Sequence, residues 1–153
     1  MTMLGATQSE GYSYLDIAQI LQAQGDSQYM QNDLEQLFRR VVFNVMVGNR
    51  DDHLRNHGFV MSKNGWRLSA AFDVNPNIDK AVHVLRLDDK DNRPSIHTVI
   101  NTASFYDLSK ERAGEIVTNL GDTIKTWRRG AQKMGISRAD IQLMSSAFWD
   151  FEG

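Results

Sequence analysis

The sequence predicts a mostly helical α+β domain with one small β-hairpin, on three observations. Apolar residues recur at helical spacing through two long segments, Leu34 to Val47 and Ala113 to Trp127. Asn64-Gly65 separates two short apolar runs, the local signal of a hairpin. The chain has 153 residues, 41% of them hydrophobic and 24% charged, which suits a single globular domain over 1–153.

Bulk properties remove several function classes. A net charge of −2 gives no electrostatic case for direct nucleic-acid binding. The absence of cysteine removes disulfides, thiolate nucleophiles and Cys-based zinc sites together, and suits a reducing cytoplasm, where we place the protein. Residues 1–10 lack a basic stretch followed by an apolar run, and no segment approaches the roughly 20 apolar residues of a membrane span.

In chain order, Met1 to Tyr12 reads as a loop. A first helix is predicted from Ser13, whose hydroxyl caps the amides ahead of Asp16, through Ile17, Ile20 and Leu21 to Gly25. Asn32-Asp33-Leu34-Glu35 resembles a capping box opening a second helix, with Leu34, Leu37, Phe38, Val41, Val42 and Val45 on its apolar face. Toward Val47 this helix is apolar nearly all round, which predicts a buried central beam. Strands follow at Phe59 to Ser62 and Trp66 to Ser69, and a further strand at Val82 to Leu87. The charge run Asp88 to Asn92 reads as a solvated loop. A short helix is expected over Thr98 to Tyr106, then a long one from Ser109 ending near Gly130 or Gly135, although Gly114 and Gly121 weaken its continuity. Ser137-Arg138-Ala139-Asp140 starts a last helix, with Ile141, Met144 and Phe148 on one face.

The densest chemistry lies behind the beam helix, in the polar run 48–58: Gly48-Asn49-Arg50-Asp51-Asp52-His53-Leu54-Arg55-Asn56-His57-Gly58. So many polar groups directly after an apolar segment are costly unless they face solvent, a ligand or a metal. Asp51 and Asn56 are five residues apart, the offset between the catalytic Asp and the metal-binding Asn of protein-kinase catalytic loops. Asp73 follows the hairpin, in the segment 70–76. Phosphoryl transfer requires a carboxylate to orient and accept the proton of the attacking hydroxyl, and hard oxygen ligands for magnesium on the nucleotide phosphates. Asp51 suits the first role; the amide oxygen of Asn56 and the carboxylate of Asp73 suit the second. Asp52 competes with Asp51 by proximity, but only Asp51 has the offset to Asn56. His53 and His57 have a spacing used by zinc ligands on helices, yet Leu54 stands where a zinc-protease motif carries Glu, and the Asp/Asn/Gly content predicts a loop. We expect His53 to fix the loop by a hydrogen bond, and Arg55 either to neutralise phosphate charge or to pair with a neighbouring carboxylate.

Asn49 to Phe59, together with Phe72-Asp73-Val74-Asn75-Pro76, closely resembles the C-terminal lobe of HipA-type bacterial serine/threonine kinases. Met3-Leu4-Gly5-Ala6 with Gly11-Tyr12-Ser13-Tyr14 is similar to the stretch preceding that lobe. The resemblance implies the helical C-lobe of a protein-kinase-like fold, with Asp51 as catalytic base and Asn56 and Asp73 as Mg2+ ligands. It implies ATP as phosphoryl donor, protein hydroxyls (including those of the translation machinery) as acceptors, toxin–antitoxin biology and a DNA-binding HipB-like antitoxin as partner. Such a kinase also needs an N-terminal lobe with a phosphate-covering loop and a strand lysine. The residues before Gly48 read as helices without either, so the expectation is a half-kinase, inactive until the N-terminal lobe completes it. Two other readings stand beside it: a non-catalytic lobe remnant that docks a protein, and a small-molecule kinase of the aminoglycoside or choline type.

Overall fold

The structure, a computed structural model, describes residues 4, 5, 9 and 11–149. Of the expected loop over Met1 to Tyr12, and of the family-like stretch Met3 to Ala6, the remaining positions lie outside the described residues.

Helix α1 (Tyr14–Gln24) opens at Ser13 as predicted. The Asp16 carboxylate accepts from the Ser13 N–H at 2.6 Å and from its hydroxyl at 2.9 Å, closing the first turn. Helix α2 (Met30–Val47) begins earlier than the sequence suggested, so Asn32, the expected cap, lies inside its first turn. Its neighbour Asp33 faces the hairpin. Its buried carboxylate accepts from Arg67 at 2.7 and 2.9 Å and from the Leu68 N–H at 3.0 Å, anchoring the hairpin. Burial raises the Asp33 pKa, but these donors outweigh it and hold the carboxyl below its ordinary value.

The beam reading of α2 agrees with its burial. Leu34, Leu37, Phe38, Val41 and Val42 are wholly buried, each contributing about 1.5–3 kcal/mol of transfer free energy. Around α2 pack α1, α3 (Ile96–Asn101), α4 (Lys110–Ile124) and the hairpin. Strands β1 (Phe59–Met61) and β2 (Trp66–Leu68) pair antiparallel, Phe59 opposite Leu68 and Met61 opposite Trp66. Their connection is the four residues Ser62 to Gly65, closed by Ser62 N–H to the Gly65 carbonyl at 2.8 Å. Gly65 sits at φ 153, and a Cβ there would meet the backbone nitrogen of Asp26 at 2.7 Å, so only glycine lets the hairpin lie against the α1–α2 turn.

Three expectations are corrected. The segment 82–87 is no sheet strand: its alternation buries His83, Leu85 and Leu87, and its backbone bonds run to Tyr12, Tyr14, Arg50, Asp91 and Asn92. The period was a packing period without a ladder. The helix expected over Thr98 to Tyr106 is two pieces, α3 and a 3-10 turn at Ala103–Tyr106, separated by Thr102, whose hydroxyl bonds to the Val99 carbonyl at 2.8 Å. The helix expected to reach Gly130 or Gly135 breaks at Lys125–Thr126 and restarts as α5 (Trp127–Lys133). The Thr126 hydroxyl bonds to the Thr123 carbonyl at 2.9 Å, and the break turns Trp127 onto Phe148, the rings stacked 3.9 Å apart at 5°. Helix α6 (Arg138–Met144) is capped by Ser137, which accepts from the Asp140 N–H at 3.1 Å. Among the described residues no helix is long and apolar enough to cross a membrane.

Candidate functional site

Gly48 makes the polar run begin where it does. It ends α2 in the left-handed region, φ 67, and its N–H returns to the helix. A Cβ at Gly48 would strike the carbonyl of Ala147, so the position has neither the dihedral nor the space for a side chain.

Past that turn, neighbouring side chains diverge. Asp52 turns inward and is 3% exposed. Its Oδ2 accepts three hydrogen bonds, from Tyr14 Oη at 2.8 Å, Asn44 Nδ2 at 2.7 Å and His57 Nε2 at 2.9 Å. A carboxylate only accepts, so His57 donates through Nε2. Asn49 Nδ2 donates to Asn44 Oδ1 at 3.0 Å, and the Tyr14 ring meets the His57 ring edge-on at 5.7 Å. Burial, then the Asp52 charge, pushes the Tyr14 phenol well above its ordinary pKa, so it stays a donor. A buried carboxylate with this many donors is a pin holding the loop to α1 and α2.

Asp51 turns outward. Its carboxylate pairs with the Lys80 ammonium, both side chains about half exposed. The bond from Lys80 pulls the Asp51 pKa down, with the charges of His53 and Arg55 adding to it. Beneath the loop, burial followed by the Arg50 charge lowers the pKa of His83 to about 4.

Asn56 ends a 3-10 turn, Leu54–Asn56, and is buried at the wall of a cavity of about 890 Å3. The same cavity is walled by Phe43 and Val47 of α2, by Asp52 and His57, by Phe72 and Val74 on either side of Asp73, and by Trp127 and Phe148. Asp51 and Asp73 are not in its wall. Asp73 adopts φ 54, a left-handed conformation that Asp tolerates better than most residues, and its Oδ1 accepts from Asn75 Nδ2 at 3.0 Å. The bond that fixes the loop, expected of His53, is made by His57. His53 Nε2 lies 3.5 Å from Arg55 Nη2, and Arg55 is exposed. Asn44 and Lys80 had no sequence signal, and Tyr14 stood out only within the family-like stretch, because long-range packing brings Tyr14 and Lys80 to the loop. His57 lay inside the run, but its spacing pointed to metals rather than to Asp52. Among the described residues no three His, Asp or Glu side chains gather as a metal-holding group.

These features define a helical domain in which a central helix hands over to a pinned polar loop beside a single hairpin. The profile of the family described as HipA-like C-terminal domain matches residues 1–128, and the chain belongs to that family. Among solved structures it is similar to HipA in the complex of the Shewanella oneidensis MR-1 toxin–antitoxin system HipA and HipB with its operator DNA, with a TM-score of 0.63 and 16% sequence identity. That match covers 88% of this chain and 30% of the HipA chain, so the protein described here spans about a third of its structural relative. A comparison with curated proteins returns no match.

Proposed function

We propose that the chain is the catalytic lobe of a HipA-like serine/threonine protein kinase, in which Asp51 serves as base and Asn56 and Asp73 serve as the Mg2+ ligands. The observation that carries this reading is that Asn56 and the two neighbours of Asp73 wall one cavity, although the hairpin separates them in sequence. The donor chemistry fits the ion: an amide oxygen and a carboxylate are the hard ligands Mg2+ takes. When bound, the ion supplies positive charge to the nucleotide phosphates. Asp51 orients the acceptor hydroxyl; the hydroxyl oxygen forms the new bond to the γ-phosphorus, the bond to the β–γ bridging oxygen breaks, and the hydroxyl proton passes to Asp51. The exposed Arg55 adds positive charge beside the loop.

ATP has to be held over this loop by a second lobe, because the described residues before Gly48 build α1 and α2 and contribute no strand. The reading extends to a toxin restrained by a HipB-like antitoxin, the partner of the Shewanella HipA, and to a protein acceptor of the translation machinery. The test is transfer from radiolabelled ATP to protein. The chain alone is expected to transfer nothing, the complete protein carrying this lobe to transfer phosphate, and Asp51→Ala in that protein to lose activity by at least about a hundredfold, the scale of a general base. Full activity of Asp51→Ala overturns the assignment. A second reading, a non-catalytic module that docks a protein, is favoured by one observation: Lys80 occupies the Asp51 carboxylate. It predicts that Asp51→Ala and Asp73→Ala leave the biological effect of the complete protein intact.

A further inference from the structure

The group that meets Asp51 comes from 29 residues further along the chain, and its position is built rather than accidental. The Asn77 N–H donates to the Gly48 carbonyl at 2.8 Å, and the Val84 N–H to the Arg50 carbonyl at 3.1 Å. Between those two ties, Arg50 Nη1 donates to the Lys80 carbonyl at 2.6 Å. Asn77 Oδ1 accepts the N–H of Asp79 at 3.0 Å and of Lys80 at 2.9 Å, folding the segment into a turn at the lysine. The backbone that carries Lys80 is therefore fastened on both sides to residues 48–50. The ammonium is thereby delivered beside the Asp51 carboxylate from a backbone tied to the same loop.

An exposed ion pair between two loosely held side chains gains little, since ordering both offsets the attraction. Here the lysine backbone is already ordered by five hydrogen bonds that do not involve its charge. The ammonium engages Asp51 Oδ1; for a base in this place, Oδ2 is the oxygen left to take the proton of an acceptor hydroxyl. Holding a reacting carboxylate in one rotamer is a rate effect, because misplacing a catalytic group by about 1 Å costs on the order of a hundredfold.

We propose that Lys80 is a positioning residue for Asp51, fixing the orientation of its carboxylate toward the acceptor hydroxyl. This rests on the reading of Asp51 as the base. Three basic groups face Asp51: Lys80, His53 and Arg55. Removing Lys80 leaves the other two, so the carboxylate becomes less acidic without losing all its positive surroundings.

The test uses the complete protein carrying this lobe, with Lys80→Met, Lys80→Arg and Asp51→Asn. Lys80→Met is expected to lower kcat at least about tenfold while KM for ATP stays within about twofold, and Lys80→Arg to recover most of the loss. The acidic limb of the kcat–pH profile moves to higher pH in Lys80→Met. In the 153-residue chain, which needs no activity for this measurement, the Asp51 carboxyl titration followed by NMR moves to higher pH in Lys80→Met and stays in place in Lys80→Arg. The backbone bonds at Lys80 survive both substitutions. Wild-type kcat and an unmoved Asp51 titration in Lys80→Met overturn the proposal. If Asp51→Asn is inactive at the same time, the base assignment stands and only Lys80 falls. If Asp51→Asn transfers phosphate normally, the base assignment falls and the role of Lys80 with it.

Discussion

Asp51 and Asp52 are adjacent in sequence and have opposite surroundings. One carboxylate is about half exposed and meets a single ammonium. The other is 3% exposed and takes three hydrogen bonds on one oxygen. The difference separates two jobs that a catalytic loop must do at once. Something has to hold the backbone still, and that group is buried and consumed by its partners. Something else has to stay accessible, and that group is placed by what the first one fixes. The two side chains leave the turn after Gly48 on opposite sides, so a single Asp-Asp pair supplies both.

Substitutions can break this comparison, and the largest effect belongs to the inner carboxylate. Asp52→Ala leaves Tyr14, Asn44 and His57 without their common acceptor and is expected to cost about 3–5 kcal/mol, read as a lowered midpoint of urea unfolding. Asp51→Ala at the surface should stay within about 0.5 kcal/mol by the same measurement. Equal losses for the two would dissolve the distinction between pin and working group.

The buried side should also be the acid-sensitive one. His83 lies under the loop with its pKa lowered to about 4 from 6.5, first by burial and then by the Arg50 charge. Below pH 6.5 the unfolded chain takes a proton that the folded chain refuses. Stability present above pH 6.5 is therefore lost on acidification, by up to about 1.4 kcal/mol per pH unit, until the folded imidazole titrates as well. Urea midpoints between pH 7 and pH 5 should fall in the wild type and flatten in His83→Gln.

A smaller effect sharpens the account of the pin. Tyr14→Phe removes one of three donors and keeps the ring against His57, so a loss of about 1–3 kcal/mol is expected. A loss as large as that of Asp52→Ala would mean that the three donors act as a single cooperative unit.

Much of the framework was legible in the sequence because it is local. Ser13 with Asp16, Ser109 and Ser137 mark helix starts through bonds that reach three residues, and the face of α2 follows from spacing alone. The misreadings arose where tertiary packing, or a short bond from a threonine hydroxyl, overrode the local pattern. Asn32 looked like the cap of α2, yet the helix begins two residues before it, and its neighbour Asp33 serves the hairpin. Residues 82–87 alternate like a strand because His83, Leu85 and Leu87 are buried, but among the described residues no strand pairs with them. The long helix breaks where Trp127 meets Phe148. For the site, spacing singled out Asp51, Asn56 and Asp73 as candidates. It could not tell which of two adjacent aspartates faces inward, nor that Lys80 returns to the loop, since both depend on how α1, α2 and residues 77–84 come together.

The close fit of Gly48 against Ala147 has a consequence for how the protein is made. The Trp149 N–H also donates to the Met46 carbonyl, at 2.6 Å. The turn that launches the polar loop is thus covered by residues translated about a hundred positions later, at a ribosomal pace of roughly 5–20 residues per second. During synthesis the turn after α2 therefore stays uncovered for several seconds, until residues 147–149 have been made.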